Sequence, residues 1–200
     1  QTQTLFLTTG NRVEEANAFD ETTITGIAAV GDNDGVERTL LGPASSMMSS
    51  ARAYADAGIR AVVAPLMATS SLSQAIPGLY AVLPAPLQKE VDRLRLAPAE
   101  AQVEATEKIL AGWRFDRDFV RPAVAPTIPH HCSDEFMVAC GRLAREQGVG
   151  LHMHVQESKV QAIVALQKYG KTAVAHLEAL GLLGPQFVVA HGVWLDGEDM

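Results

Sequence analysis

Two histidines and a carboxylate stand close together in the segment "VGLHMHVQES", residues 149–158: His152, His154 and Glu157. Neutral imidazole is a ligand for zinc and similar metals, and a nearby carboxylate can carry protons for a reacting water. In a strand, residues i and i+2 share a face, so His152 and His154 point the same way while Met153 and Val155 point the other. Two readings stand for the pair: ligands of a metal site, or hydrogen-bonded core histidines. Glu157 falls just past the strand, where it is either a general acid/base beside bound water or a surface glutamate capping the next helix.

A third histidine, His191, ends the apolar run of "VVAHGVW". It could ligate a metal, donate to a developing oxyanion, or sit satisfied in the core. His130 and His131, in "TIPHHCSD", could touch substrate or lie in a solvated loop shaped by Pro126 and Pro129. His176, in "TAVAHLEAL", falls mid-helix and reads as structural or solvent-facing. Cys132 has no evident base partner for nucleophilic work.

These residues need elements to hold them. Strand patterns occur at 24–30 (followed by Asp32), 59–67, 120–126, 150–155 and 186–194. Helical patterns occur at about 44–57, 99–113, 134–147, 158–168 and 172–180. The 99–113 helix offers Val103, Ile109, Leu110 and Trp113 for burial. Ser133 is the expected N-cap and Gly148 the expected stop of the next one, whose buried face is Phe136, Met137, Cys140 and Leu143. The stretch 68–98, with four prolines, reads as loops and short helices. Strand and helix alternate, and the strands are too apolar for one wet face. That predicts an α/β fold with a parallel sheet, either a (β/α) barrel of TIM type or a doubly wound sheet. No GxGxxG or GxxxxGK[ST] motif follows a strand, which removes support from nucleotide-binding open sheets. The polar candidates gather at the C-terminal strand ends, where such folds build active sites.

Bulk properties narrow the classes. With 48% hydrophobic and 20% charged residues, the chain of 200 can form a packed core. A formal net charge of −7 argues against nucleic acid or an anionic membrane as partner. No apolar run reaches the length of a spanning helix. Two cysteines without a CxxC pair predict a reduced, cytoplasmic setting.

In their order and spacing, "PTIPHHCSDEF", "GVGLHMHVQES", "YGKTAVAHLEALGLLGP" and "VVAHGVWLDGEDM" resemble the amidohydrolase superfamily. The branch is that of the cytosine, guanine and S-adenosylhomocysteine deaminases and the triazine hydrolases of atrazine chlorohydrolase type. The likeness covers about 120–200, with "AYADAGIRAVVAP" (53–65) extending it upstream, and leaves residues 1–40 unassigned. It implies a metal-bearing (β/α)8 barrel of which residues 1–200 carry strands two to six as one partial domain. In the family's H-x-H-x-x-E pattern the second histidine ligates and the glutamate shuttles protons. That implies His154 as metal ligand and Glu157 as catalytic acid/base, with His152 beside the substrate rather than on the metal. The family's "AH" strand implies a catalytic role for His191 next to the water or substrate. The loop after the fourth strand implies substrate contacts from Thr127, Ile128, His130 and His131.

The family's first strand supplies another HxH pair and its eighth an aspartate. No second HxH occurs here, so these ligands are expected outside both ends of the chain. The implied cofactor is a divalent metal, zinc, with iron compatible with the same ligands. The implied reaction is attack of metal-bound hydroxide on an sp² carbon of a small-molecule nitrogen heterocycle, releasing ammonia. Alternatives are a triazine-type or cyclic-amide hydrolase with another leaving group, such as chloride or an amine, and a truncated, inactive barrel serving only binding or oligomerisation. Many members of the branch are dimers, so a homodimer is among the implied assemblies.

Overall fold

The computed structural model describes residues 47–58, 60–93 and 96–200. The strand expected at 24–30 and Asp32 lie outside the described residues. Two compact units divide the chain, one containing 47–66 and 104–123, the other 67–103 and 124–200.

In the first unit, residues 47–56 form helix α1, and Gly58 at φ 68° closes the turn that follows. Met47, Ala51 and Tyr54 recur at helical spacing and are buried. They share a core with Ala61 and Val63, which alternate along strand β1 (Ala61–Val63), and with Ile109 and Val120. Burying a side chain such as Ile109 stabilises by about 1.5–3 kcal/mol. β1 pairs in parallel with the start of β3 (Val120–Pro126), Ala61 opposite Val120 and Val63 opposite Pro122. The helix expected at 99–113 is α5, Ala99–Ala111. Ile109 and Leu110 are buried as expected, whereas Val103 and Trp113 are only half-buried. Trp113 keeps its indole N–H satisfied by donating to the Val120 carbonyl at 3.1 Å.

The single strand expected at 59–67 is two pieces, β1 and β2 (Leu66–Met67). Pro65 stands between them without a backbone donor, which interrupts a ladder. In the second unit the Thr127 N–H donates to the Met67 carbonyl at 2.8 Å. The proline-bearing stretch then holds three short helices, α2 (Leu72–Ala75), α3 (Leu79–Val82) and α4 (Ala85–Arg93).

Helix α6 (Asp134–Gln147) begins where expected. Ser133 accepts from the Phe136 N–H at 3.2 Å, and Gly148 at φ 62° ends it. Phe136, Met137, Cys140 and Leu143 are all buried on its inner face. A methyl group on Gly141 would stand 2.4 Å from Cδ2 of Leu182 and 3.7 Å from Cδ2 of Leu151, so this helix lies close against the next strand. That strand is β4, Gly150–Val155, with β3 on one side and β5 (Phe187–His191) on the other. Leu151, Met153 and Val155 occupy its core face; His152 and His154 occupy the opposite one.

Helices α7 (Lys159–Tyr169) and α8 (Ala173–Ala179) form the crossover to β5, which pairs with β4 in parallel, His154 opposite Ala190 and Val155 opposite His191. The expected strand at 186–194 therefore ends at His191. His191 at φ 74° and Gly192 at φ 63° leave the extended region, and the Gly192 N–H turns to donate to the Val155 carbonyl. Among the described residues no helix is long and apolar enough to cross a membrane.

Candidate active site

Chain turns at the ends of β3, β4 and β5 bring Thr127, His154, Glu157 and His191 together. The Thr127 carbonyl accepts two hydrogen bonds from one residue: the His154 N–H at 2.8 Å and its ring Nδ1 at 2.9 Å. Donation from Nδ1 makes the neutral ring the tautomer whose lone pair is on Nε2. The His154 and His191 rings lie 5.5 Å apart between centroids, tilted by 32°. Nε2 of His191 stands 3.6 Å from Oε1 of Glu157, with the two side chains 38% and 46% exposed. That distance exceeds a hydrogen bond, so the groups face each other without being bonded. At such exposure an ion pair contributes little to stability.

A strained backbone makes this approach. Among the described residues Gln156 (φ 51°) and His191 (φ 74°) are the non-glycine residues at positive φ. Such a conformation costs about 1–3 kcal/mol unless the surroundings hold it, and it collects at functional sites. The surroundings here are specific. Gln156 is buried, and its amide donates to the Trp194 carbonyl at 2.5 Å and to Oδ2 of Asp199 at 3.1 Å. Its own carbonyl accepts from the Trp194 N–H at 3.0 Å. Thr172 holds the other oxygen of Asp199. The loop after β5 is thus fastened to the end of β4, and Glu157 is presented beside His191.

The helix after Glu157 is capped by Ser158, whose hydroxyl accepts from the Gln161 N–H at 3.3 Å. The alternative in which Glu157 itself caps that helix is thereby corrected. Gln161 meets Glu157 twice, accepting from its N–H and donating to Oε2, each at 3.1 Å. Gln156 and Gln161 were not singled out from the sequence. The Ser158-x-x-Gln161 spacing of a capping box was the available signal.

His152 is 5% exposed, and burial lowers its pKa. Its Nε2 lies 2.7 Å from where a methyl group on Gly150 would stand, so the ring folds toward the start of β4. Only Gly leaves room for that. His130 and His131 lie in the 3-10 turn Pro129–His131 and are 5% and 8% exposed, which overturns the solvated-loop reading. Their rings meet edge to face at 4.8 Å. The His131 carbonyl accepts from the Thr69 and Ser70 N–H groups, and Nζ of Lys168 donates to the His130 carbonyl at 3.2 Å. Burial, then the neighbouring His131 and the Lys168 charge, push the His130 pKa down to about 4. Burial and Lys168 lower that of His131, whose Nε2 is buried without a hydrogen-bond partner. Thr127 is buried and Ile128 half-buried. Burial raises the Cys132 thiol to about 12, which leaves it protonated and a poor nucleophile. His176 is half-buried, stacked on Tyr169 at 3.7 Å and bonded to Asp134 at 2.9 Å.

No group of three or more His, Cys, Asp or Glu side chains able to hold a metal occurs among the described residues. His154 by itself has the chemistry of a metal-ligating histidine, one ring nitrogen committed to a backbone carbonyl that orients the other.

Parallel strands joined by helical crossovers, with polar side chains collected at their C-terminal ends, define an α/β protein of the kind that builds its site on that edge. The amidohydrolase family model matches residues 16–200, and the chain belongs to that family. Over 103 residues it is 37% identical to a 5-methylthioadenosine/S-adenosylhomocysteine deaminase of Syntrophobacter fumaroxidans, a match covering 52% of this chain and 23% of that relative. A zinc-bound adenosine deaminase from Xanthomonas campestris superposes with a TM-score of 0.62 at 16% identity, over 94% of this chain and 43% of that one. Atrazine chlorohydrolase from Arthrobacter aurescens, complexed with zinc, gives 0.63 at 20% identity, over 88% and 39%. The chain therefore spans less than half the length of these proteins. The two structural likenesses show the fold, the parallel (β/α) barrel of TIM type, of which this chain carries a part.

Proposed function

We propose that this chain is part of a metal-dependent aminohydrolase acting on a small nitrogen heterocycle. Water adds at an sp² ring carbon bearing an amino group, the carbon–nitrogen bond breaks, and ammonia leaves as the ring gains a carbonyl. The observation that carries this reading is the approach of Glu157 Oε1 to His191 Nε2 at 3.6 Å, beside a His154 ring fixed by the Thr127 carbonyl. A zinc ion, or iron, would be held in part by Nε2 of His154 and would lower the pKa of water to about 7. Glu157 takes the proton of the attacking water and delivers it to the ring or to the departing nitrogen. His191 donates toward the negative charge that develops there.

The buried face made by Thr127, Ile128, His130 and His131 would meet the heterocycle; His152, whose ring is folded toward Gly150 at the start of β4, would join it only by turning toward the other end of the strand. Neutral imidazoles suit an uncharged ring, and the lowered pKa values of His130 and His131 keep both neutral at pH 7. The likeness to a 5-methylthioadenosine/S-adenosylhomocysteine deaminase favours a purine nucleoside of adenosine type as the heterocycle. The buried, unbridged thiols of Cys132 and Cys140 agree with a reducing, cytoplasmic setting.

The likeness to atrazine chlorohydrolase favours one second reading, the same attack with chloride or an amine leaving. A leaving-group assay separates the two. The zinc-loaded protein from the complete reading frame is offered adenosine-type nucleosides, aminotriazines, chlorotriazines and cyclic amides. Ammonia from the nucleosides supports the aminohydrolase; chloride or amine from the triazines alone supports the second reading. No product from any of them, with no metal retained, would leave a non-catalytic binding unit.

A further inference from the structure

We propose that Gln161 is the positioning residue for the carboxylate of Glu157, an inference that rests on reading Glu157 as the proton carrier. Three observations converge on it. First, the direction of its amide is decided by chemistry. The Glu157 backbone N–H can only donate, and it donates to Oε1 of Gln161 at 3.1 Å. The amide nitrogen is therefore the end that faces Oε2 of Glu157, also at 3.1 Å. Second, the amide is held and the carboxylate is not. Gln161 is 8% exposed on the inner face of α7 with Val164 and Ala165, whereas the Glu157 side chain is 46% exposed. Third, the contact divides the two carboxylate oxygens. Oε2 is occupied by Gln161, which leaves Oε1 as the oxygen turned to His191.

The position in the helix is unusual for a cap. In a capping box the N3 side chain reaches back to the N–H of the N-cap residue. Here Ser158 is the N-cap and Gln161 stands at N3, but its amide reaches one residue further, to Glu157. That displacement yields a clamp on both the backbone and the side chain of a single residue. A glutamate on three rotatable bonds would otherwise be ordered afresh in each turnover.

The test uses the protein from its complete reading frame. Gln161→Met keeps the length of the side chain and removes both hydrogen bonds. Expected is a kcat about tenfold lower with KM within about twofold, equivalent to about 1.4 kcal/mol in the barrier. In a Glu157→Gln background the same change should lower kcat no further. Gln161→Glu keeps the acceptor for the Glu157 N–H but sets a second carboxylate against Oε2, and its kcat should fall further than that of Gln161→Met. Crystal structures of the wild type and Gln161→Met give a reading independent of turnover: the Glu157 carboxylate should leave its place beside His191. An unmoved carboxylate, an unchanged kcat, or an equal fall in both backgrounds overturns the proposal. If the wild type turns over nothing and Glu157→Gln behaves identically, the functional reading fails, while the crystallographic comparison still decides the role of Gln161.

Discussion

The ring of His154 donates from Nδ1 to the carbonyl of Thr127 at 2.9 Å, across 27 residues of sequence and from one strand end to the next. The acceptor is backbone, so no side-chain substitution at residue 127 removes it directly. This bond aims Nε2, and the same strand end delivers Glu157 three residues later.

On the proposed reading, removing the ring should therefore remove the metal before it removes the fold. His154→Ala is expected to weaken zinc binding by more than about 100-fold, beyond the usual effect of losing a ligand's supporting partner. Zinc titration monitored by calorimetry checks this, and circular dichroism should show an unchanged helical signal. Zinc affinity equal to wild type would refute His154 as a ligand.

Glu157→Gln keeps shape and hydrogen-bonding reach while removing the proposed proton carrier. The expected loss in kcat is about 10²–10⁴-fold. The residue is 46% exposed, so unfolding free energy should change by less than about 0.5 kcal/mol. Steady-state kinetics with a denaturation curve would measure both.

Gln156→Ala unties the loop after β5. The carbonyl of Trp194 and one oxygen of Asp199 lose their donor, and alanine must hold a φ of 51° without the bonds that stabilise it. A loss of about 1–3 kcal/mol is expected. Hydrogen exchange should show the amides of Gly192 and Trp194 losing protection first, since they donate to Val155 and Gln156.

The His130 imidazole carries a pH signature. Its folded pKa, about 4, lies below the ordinary 6.5, so between these values the unfolded chain binds the proton that the folded chain refuses. Stability is complete above about pH 6.5 and falls as the pH drops toward 4. His130→Gln should flatten that part of a Tm-against-pH curve. A curve unchanged in slope would show that His130 does not titrate differently in the two states.

Much of this arrangement was legible in the residues. Ser133 and Gly148 bracket α6 because a side-chain acceptor and a left-handed glycine are local requirements. The alternation of β4 sorted His152 and His154 from Met153 and Val155 without any knowledge of the neighbours. What depended on distant packing was not legible. His130 and His131 are polar and flanked by prolines, yet the turn carrying them is buried, with Lys168, 37 and 38 residues later in the sequence, bonded to its backbone. The early end of β5 follows from a positive φ at His191, a residue type that gives no warning of it. Gln156 and Gln161 looked like ordinary polar residues because an amide acquires meaning only from what it bonds. The split of 59–67 has a local signal in Pro65, whose missing donor interrupts a ladder that the apolar run alone would continue.

The most direct test is ammonia release from adenosine-type nucleosides by the zinc-loaded protein from its complete reading frame, measured beside Glu157→Gln. The account predicts stoichiometric ammonia with the corresponding ring carbonyl, lost at least about 100-fold in the variant. Ammonia release that continues undiminished in Glu157→Gln would contradict it.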